Sequence, residues 1–261
     1  MRKRQPRETE AALVIRSGRA EKIAAEIAKL RAVGGYRLER GETQKIRDIY
    51  FDTPDRALEK QRLGLRIRQV NGKTLITLKG PSRRNGAIRA RLEIEAVWSQ
   101  KALVRVLREL RARGVRVRAE SEEFEIDDAL ETLEELDFQI IQDRQTRRLV
   151  RNILKKNSTR KVVVAELVID SVSYHFGKQI VHLHEIEIES KIRNGNAAGL
   201  AKLVNDLVEM YQPALREWES KLATGRAIAE LSKDRVFKKL IGRGGNLKPA
   251  ALDAIGKHLA T

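Results

Sequence analysis

Two stretches of this chain alternate charge and bulk so strictly that they demand β-strands: Arg91-Leu92-Glu93-Ile94-Glu95 and Glu185-Ile186-Glu187-Ile188-Glu189. In a strand, residues i and i+2 share a face. Each stretch therefore has one charged face and one apolar face. Arg66 and Arg68 repeat the pattern with Leu65 and Ile67 opposite, Glu8 and Glu10 share a face, and Lys79 follows Thr77 on one side of its strand. One charged strand face is ordinarily a solvated one. Here several strands carry such faces, both signs are present, and neighbouring strands differ in sign. A sheet closed on itself would gather these faces inside and turn the apolar faces toward helices. A small barrel is normally filled by apolar side chains, so a polar lumen must hold something.

The remaining pattern supports many strands with a few helices. Strand alternation is expected over 8–15, 46–51, 63–70, 73–79, 87–97, 138–154, 161–169 and 179–190. Helical spacing is expected over 20–32, 99–113, 127–136, 196–210 and 217–231. Asn71-Gly72 is a tight hairpin signal, and 80–86 closes the next pair with a longer loop. The expected fold is α+β, a closed antiparallel eight-stranded β-barrel with flanking helices. The charged segment 113–125 links two sequence halves that share this barrel. Residues 1–231 form the expected domain and 232–261 a basic C-terminal extension. In that extension, Gly242 to Gly245 reads as a flexible tail and a short helix is possible from Pro249.

The 261 residues carry 53 basic and 36 acidic side chains, a formal charge of +17, and 41% are hydrophobic. Such an excess attracts polyanions. Aromatic residues make up only 4%, which argues against a base-stacking surface. The absence of cysteine excludes disulfides and thiolate chemistry. His182 and His184 share a strand but are too few for a histidine metal cage, and Gly242 to Gly245 lacks a P-loop's lysine and hydroxyl. Trp98 and Trp218 read as packing anchors, as do Tyr50 and Phe51. No run is long and apolar enough to span a bilayer, and no secretory signal is seen, so a cytoplasmic protein is expected. Basic residues inside a barrel would grip phosphate oxygens. Carboxylates on the same wall would hold a hard cation such as Mg2+ or Mn2+.

The run Tyr50-Phe51-Asp52-Thr53-Pro54-Asp55, followed by Leu65-Arg66-Ile67-Arg68, Thr77-Leu78-Lys79-Gly80 and Arg91-Leu92-Glu93-Ile94-Glu95, resembles the CYTH, or triphosphate tunnel metalloenzyme, family. Ala165 to Asp170, Glu185 to Glu189 and Ser220-Lys221 resemble its later segments. The resemblance spans roughly residues 8 to 230 and looks closest to bacterial inorganic triphosphatases. It implies that Arg66, Arg68, Lys79, Arg91, Arg147 and Lys221 bind phosphate, with Arg144 the alternative to Arg147. It implies that Glu8, Glu10, Glu187 and Glu189 hold metal, and that Glu8, Glu10 and Lys79 are catalytic. Glu93, Glu95, Asp170 and Glu185 would support them, with Glu166 a further candidate and Asp52 structural.

One departure stands out. The family's ExExK opening keeps Glu8 and Glu10 but has Ala12 where the lysine belongs. Arg7 lies on the opposite face from Glu8, and Arg16 lacks the matching position. The expected function is metal-dependent hydrolysis of inorganic triphosphate or a related organic triphosphate. The alternatives are a class IV adenylate cyclase, producing cyclic AMP from ATP, and a non-catalytic polyphosphate or RNA binder. The expected partner is a small-molecule triphosphate or polyphosphate, with no membrane. Room is left for nonspecific nucleic acid on the basic surface and for a homodimer.

Overall fold

The computed structural model describes residues 7–85, 87–118, 123–155, 161–192 and 197–260. The expected loop residue Gly86, part of the 113–125 link and the first residue of the expected 196–210 helix lie outside them. In chain order, the first half contains β1 (Arg7–Ile15), α1 (Ala20–Lys29), β2 (Ala32–Val33), β3 (Tyr36–Asp52), α2 (Ala57–Lys60), β4 (Gly64–Val70), β5 (Lys73–Lys79), β6 (Arg83–Asn85), β7 (Ile88–Val97) and α3 (Gln100–Ala112). The second half contains α4 (Ala129–Glu135), β8 (Gln139–Leu154), β9 (Val163–Phe176), β10 (Gln179–Ser190), α5 (Ala197–Met210), β11 (Leu215–Glu217), α6 (Lys221–Leu231), α7 (Arg235–Lys238) and α8 (Pro249–Leu259).

Eight of these strands close a ring in the order β1-β10-β9-β8-β3-β4-β5-β7, and β7 pairs back onto β1. Every neighbouring pair is antiparallel. The α+β ring with flanking helices is thus the expected arrangement. Strand β3 is longer than its alternation suggested. It starts at Tyr36, and its first half carries polar residues on both faces, so no periodic signal marks it. Local chemistry sets the element ends. Asn71 and Gly72 both take positive φ, as the β4–β5 hairpin requires. Ser99, Asp128 and Ser220 cap α3, α4 and α6 with side-chain oxygens that accept from backbone amides.

Outward apolar faces meet the helices. Leu65, Ile67, Ile76, Leu78 and Ile94 pack with Leu103, Val106 and Leu110 of α3 and Leu133 of α4. On the other side, Leu13, Leu167, Ile169, Ile186 and Ile188 meet Ile27 of α1 and Leu203 and Leu207 of α5. A third cluster lies on the inner face: Val14, Val172, Tyr174, Val181 and Leu183, which share the faces of Glu10, Asp170 and Glu185, meet Ile228 of α6 and Phe237, Leu252 and Ile255. The segment after Leu231 is therefore built into the core, and the helix from Pro249 is formed. The glycine-rich stretch is also a defined turn, with Asn246 paired to His182 of β10. Its apolar residues Leu240, Ile241 and Leu247 are what composition alone concealed behind the basic ones. Among the described residues, no helix is long and apolar enough to cross a membrane.

A charged lumen as candidate active site

Strand register brings the charged faces together. Across β1 and β7, Glu8 faces Arg91 and Glu10 faces Arg89. Across β5 and β7, Lys79 faces Glu93 and Thr77 faces Glu95. Asp48 of β3 faces Arg68 on one side and Arg144 on the other. Arg148 faces Asp170, which faces Glu185. Glu8, Glu10, Arg68, Lys79, Arg89, Arg91, Glu93, Glu95, Arg144 and Arg148 line a cavity of about 1260 Å3, with Asp48, Thr77, Asp170 and Glu185 buried behind them.

Three ion-pair clusters organise the wall. In the first, Asp48 is 1% exposed and receives Arg68 at 2.7 Å, Arg144 at 2.6 Å and Arg66 at 3.5 Å. Burial alone would raise its pKa. The three guanidinium groups reverse that and hold it well below the usual carboxylate range. The Tyr50 ring has Arg144 5.1 Å and Arg66 5.9 Å from its centroid. Its phenol is lowered to about 8: burial opposes the shift, and Arg144 and Arg66 outweigh it.

In the second cluster, Glu8 receives Lys79 and Arg91, each at 3.0 Å, and Arg91 also reaches Glu10 at 2.5 Å. Lys79 meets Glu93 at 3.0 Å, and Arg66 meets Glu95 at 3.1 Å. The two β1 carboxylates differ sharply. Burial would raise Glu8, but Lys79 and Arg91 pull it well below normal. Glu10 is pushed up to about 7 by burial, and the neighbouring Glu8 and Glu187 offset Arg91's help.

In the third, Lys221 at the start of α6 reaches Glu187 at 2.6 Å and Asp170 and Glu185 each at 3.0 Å. Arg148 joins Asp170 at 2.7 Å and Glu187 at 2.9 Å. Burial works against charge on Glu187, yet Lys221 and Arg148 hold it well below normal. Burial raises Glu185 despite the Lys221 ammonium 3.0 Å from its Oε2, and its Oε1 has no partner.

The expected residues Arg66, Arg68, Lys79, Arg91, Lys221, Glu8, Glu10, Glu187, Glu93 and Glu95 all line the cavity. Asp170 and Glu185 back Lys221. Glu189 and Glu166 also line it but share Lys191, at 3.1 and 2.8 Å. Arg147 is the exception: it is exposed on the outer face of β8, while its alternative Arg144 and the unexpected Arg148 point inward. Arg16 is bound outside the site to Asp253. Three further residues line the wall, Tyr50, Arg89 and Arg148, and a fourth, Asp48, is buried behind it holding Arg66, Arg68 and Arg144. Arg89 was findable, since it extends the face of Arg91 by two residues. Asp52 is structural as expected, accepting from the amides of Leu58 and Glu59 and from Arg226. The indole N–H groups of Trp98 and Trp218 bond to Ile126 and Thr224, as packing anchors do. His182 and His184 sit outside the lumen, bonded to Ser173 and Ser171.

Two of the solved structures that the chain resembles in fold are informative. One is HpAC1 from Hippeastrum, a candidate adenylyl cyclase with a dominant triphosphatase activity. It has a TM-score of 0.55 at 17% identity over 84% of this chain and 95% of that one. The other is a candidate adenylate cyclase from Bacillus halodurans, with a TM-score of 0.50 at 16% identity over 83% and 96%. No curated protein sequence matches. The profile of the CYTH domain matches residues 19–225. That match begins after β1 and takes in seven of the ring's eight strands and the Lys221 end of α6, so this chain belongs to the CYTH domain family.

Proposed function

We propose that this chain hydrolyses inorganic triphosphate or a related organic triphosphate inside the ring, with Mg2+ or Mn2+ as cofactor. The observation that carries this reading is the pairing of buried carboxylates with arginines and lysines around one cavity. In a low-dielectric wall such a set is strongly held. A polyanion enters by exchange: guanidinium and ammonium groups turn from carboxylates to phosphate oxygens, and the carboxylates left behind need a replacement cation.

The donor set fits a hard divalent cation in kind. The inner wall offers carboxylate oxygens, Glu10 is short of compensating charge, and the buried Glu185 Oε1 has no partner. Among the described residues, no three acidic or histidine side chains already cluster tightly enough to chelate an ion. Those carboxylates are drawn instead toward lysines and arginines. Glu8, Glu10 and Glu187 are the residues assigned to hold the cation, with Glu189 beside them. Bound there, it would neutralise phosphate charge and make phosphorus more open to water. Arg66, Arg91 and Arg144 supply forked contacts to phosphate oxygens, and Lys79, Arg148 and Lys221 add point charges and orientation.

Hydrolysis is favoured over cyclisation by one feature. Tyr50 is the only phenylalanine, tyrosine or tryptophan among the described residues that line the cavity, and two arginines flank it. A cyclase must hold adenine and aim a ribose hydroxyl while excluding water. The test is phosphate release from inorganic triphosphate, thiamine triphosphate and ATP, with Mg2+, Mn2+ or a chelator, alongside an assay for cyclic AMP. Metal-dependent phosphate release is expected. Cyclic AMP would assign the chain to the cyclases. Tight triphosphate binding without turnover would make it a binder.

A further inference from the structure

Arg147, which turns away from the lumen, lies directly opposite Lys45 across β8 and β3. Both are exposed, and no ion pair to either is found among the described residues. Like charges directly opposite in an antiparallel pair repel. An external anion would relieve that repulsion.

The pair belongs to a wider polar face. The register aligns Lys45, Arg147, Ser171 and His184 in one row across β3, β8, β9 and β10. The next row is Arg47, Gln145, Ser173 and His182. All eight are outward and at least partly exposed, and none belongs to an apolar cluster packed under the helices. Ser173 and Ser171 fix the two imidazoles, at 2.8 and 3.2 Å. Two acids lie near the rows: Asp143, engaged by Arg47 at 2.8 Å, and Glu21 of α1, close enough to act on His184.

The glycine-rich turn borders this face. Leu247 donates its amide to the carbonyl of His182. Gly245 has φ +83°, and a Cβ there would lie 2.2 Å from the carbonyl oxygen of Ile180. Only glycine lets the turn sit so close to β10. The turn carries the exposed Arg243.

We propose that the outer face of β3, β8, β9 and β10 binds the phosphate backbone of a nucleic-acid duplex without reading its sequence. Charge complementarity selects the anion: unpaired cations and hydrogen-bonding side chains lie along adjacent strands of a chain with formal charge +17. The absence of phenylalanine, tyrosine or tryptophan from the two rows selects the duplex, because single strands are held by aromatic stacking. This surface is separate from the lumen, so it stands or falls independently of the hydrolase reading.

The experiment is a fluorescence-anisotropy titration of the full chain with a labelled, mixed-sequence DNA duplex, over a series of salt concentrations. Lys45→Glu combined with Arg147→Glu is expected to weaken binding about tenfold or more and to flatten the log–log salt slope by roughly two, about 0.9 for each lost phosphate contact. Thermal unfolding of the variant should match that of the parent chain. Lys101→Glu combined with Arg105→Glu makes the same charge change on exposed positions of α3 and should have a much smaller effect. The proposal is overturned if this control weakens binding equally, if the parent chain does not bind at physiological salt, or if the corresponding single strand binds more tightly than the duplex.

Discussion

Arg89 is joined to Ala12 through one residue: its Nη2 donates to the carbonyl oxygen of Trp218, whose amide donates to the carbonyl oxygen of Ala12 at 2.9 Å. Arg89 is 3% exposed, its Nη1 has no hydrogen-bond partner, and it lies opposite Glu10 across β1 and β7. The cation missing from position 12 therefore has a neighbour able to replace it, supplied by β7. Arg89→Ala is expected to raise KM for triphosphate about tenfold, the scale of one lost charge-assisted contact. Adding Ala12→Lys to Arg89→Ala should recover much of that loss. Ala12→Lys alone should lower thermal stability by crowding two cations. Steady-state kinetics and melting over the four-protein cycle check this. Additive effects at the two positions would show that Arg89 does not stand in for the lysine.

The neighbouring arginines of β8 separate by direction. Arg148 holds Asp170 and Glu187, so Arg148→Ala should lower kcat/KM by roughly 100-fold, as loss of a preorganised charge contact does. Arg144→Ala should also destabilise the fold, by about 3–5 kcal/mol, because it breaks the shortest ion pair to the buried Asp48. Arg147→Ala should leave turnover and stability within error. Equal loss of activity from Arg147→Ala would place it in the lumen after all.

These arginines also mark what the sequence could reveal. Where one strand face is charged and the other apolar, as in Arg91 to Glu95 and Glu185 to Glu189, alternation separated the two faces, and the number of such strands together with the family resemblance pointed the charged ones inward. In β8 the arginines fall on both parities, at 144, 147, 148 and 151, and the run has no apolar face to set its phase. Its pairing with β3 also shifts register near Tyr50 and Phe51. Inward and outward were therefore fixed only by three-dimensional pairing. Asp48 was hidden for a similar reason: its strand looks apolar from Ile49 onward, and its three arginine partners come from β4 and β8. Tyr50 and Phe51 are adjacent in a motif that suggested packing for both. Phe51 does pack in the core, whereas Tyr50 faces the cavity.

Glu10 gives a pH dependence with a definite sign. Its pKa is raised from 4.5 to about 7 by burial, so the folded state holds the proton more tightly than the unfolded chain. Below 4.5 both states are protonated and the group imposes no charging cost. Between 4.5 and 7 the unfolded state ionises first, and stability falls as pH rises. Above 7 the folded state bears the full cost. Glu10→Gln should therefore melt a few degrees above the parent at pH 8 and alongside it near pH 4.5. Calorimetry across this range reads the difference. A constant offset at every pH would mean that Glu10 does not titrate in this window.

The segment after Leu231 should prove necessary for the fold. Ile255 and Ala251 are fully buried, Leu252 is nearly so, and Trp218 lies against Gly256 of the same helix. Asp253 pairs with Arg16, just beyond β1, at 2.5 Å and with Arg216 of β11 at 3.4 Å. These contacts cover the Trp218 and Ile228 end of the third core cluster, next to the helix that carries Lys221. Ile255→Ala is expected to cost about 2–5 kcal/mol, the range for emptying a buried aliphatic site. Removing 232–261 should expose the cluster, lower the melting temperature well beyond that of Ile255→Ala, and reduce triphosphate affinity by loosening Lys221. Asp253→Asn, which leaves the apolar contacts in place, should have a much smaller effect because its ion pairs are partly exposed. A truncated chain that melts and binds like the full one would show that α8 covers the core without supporting it.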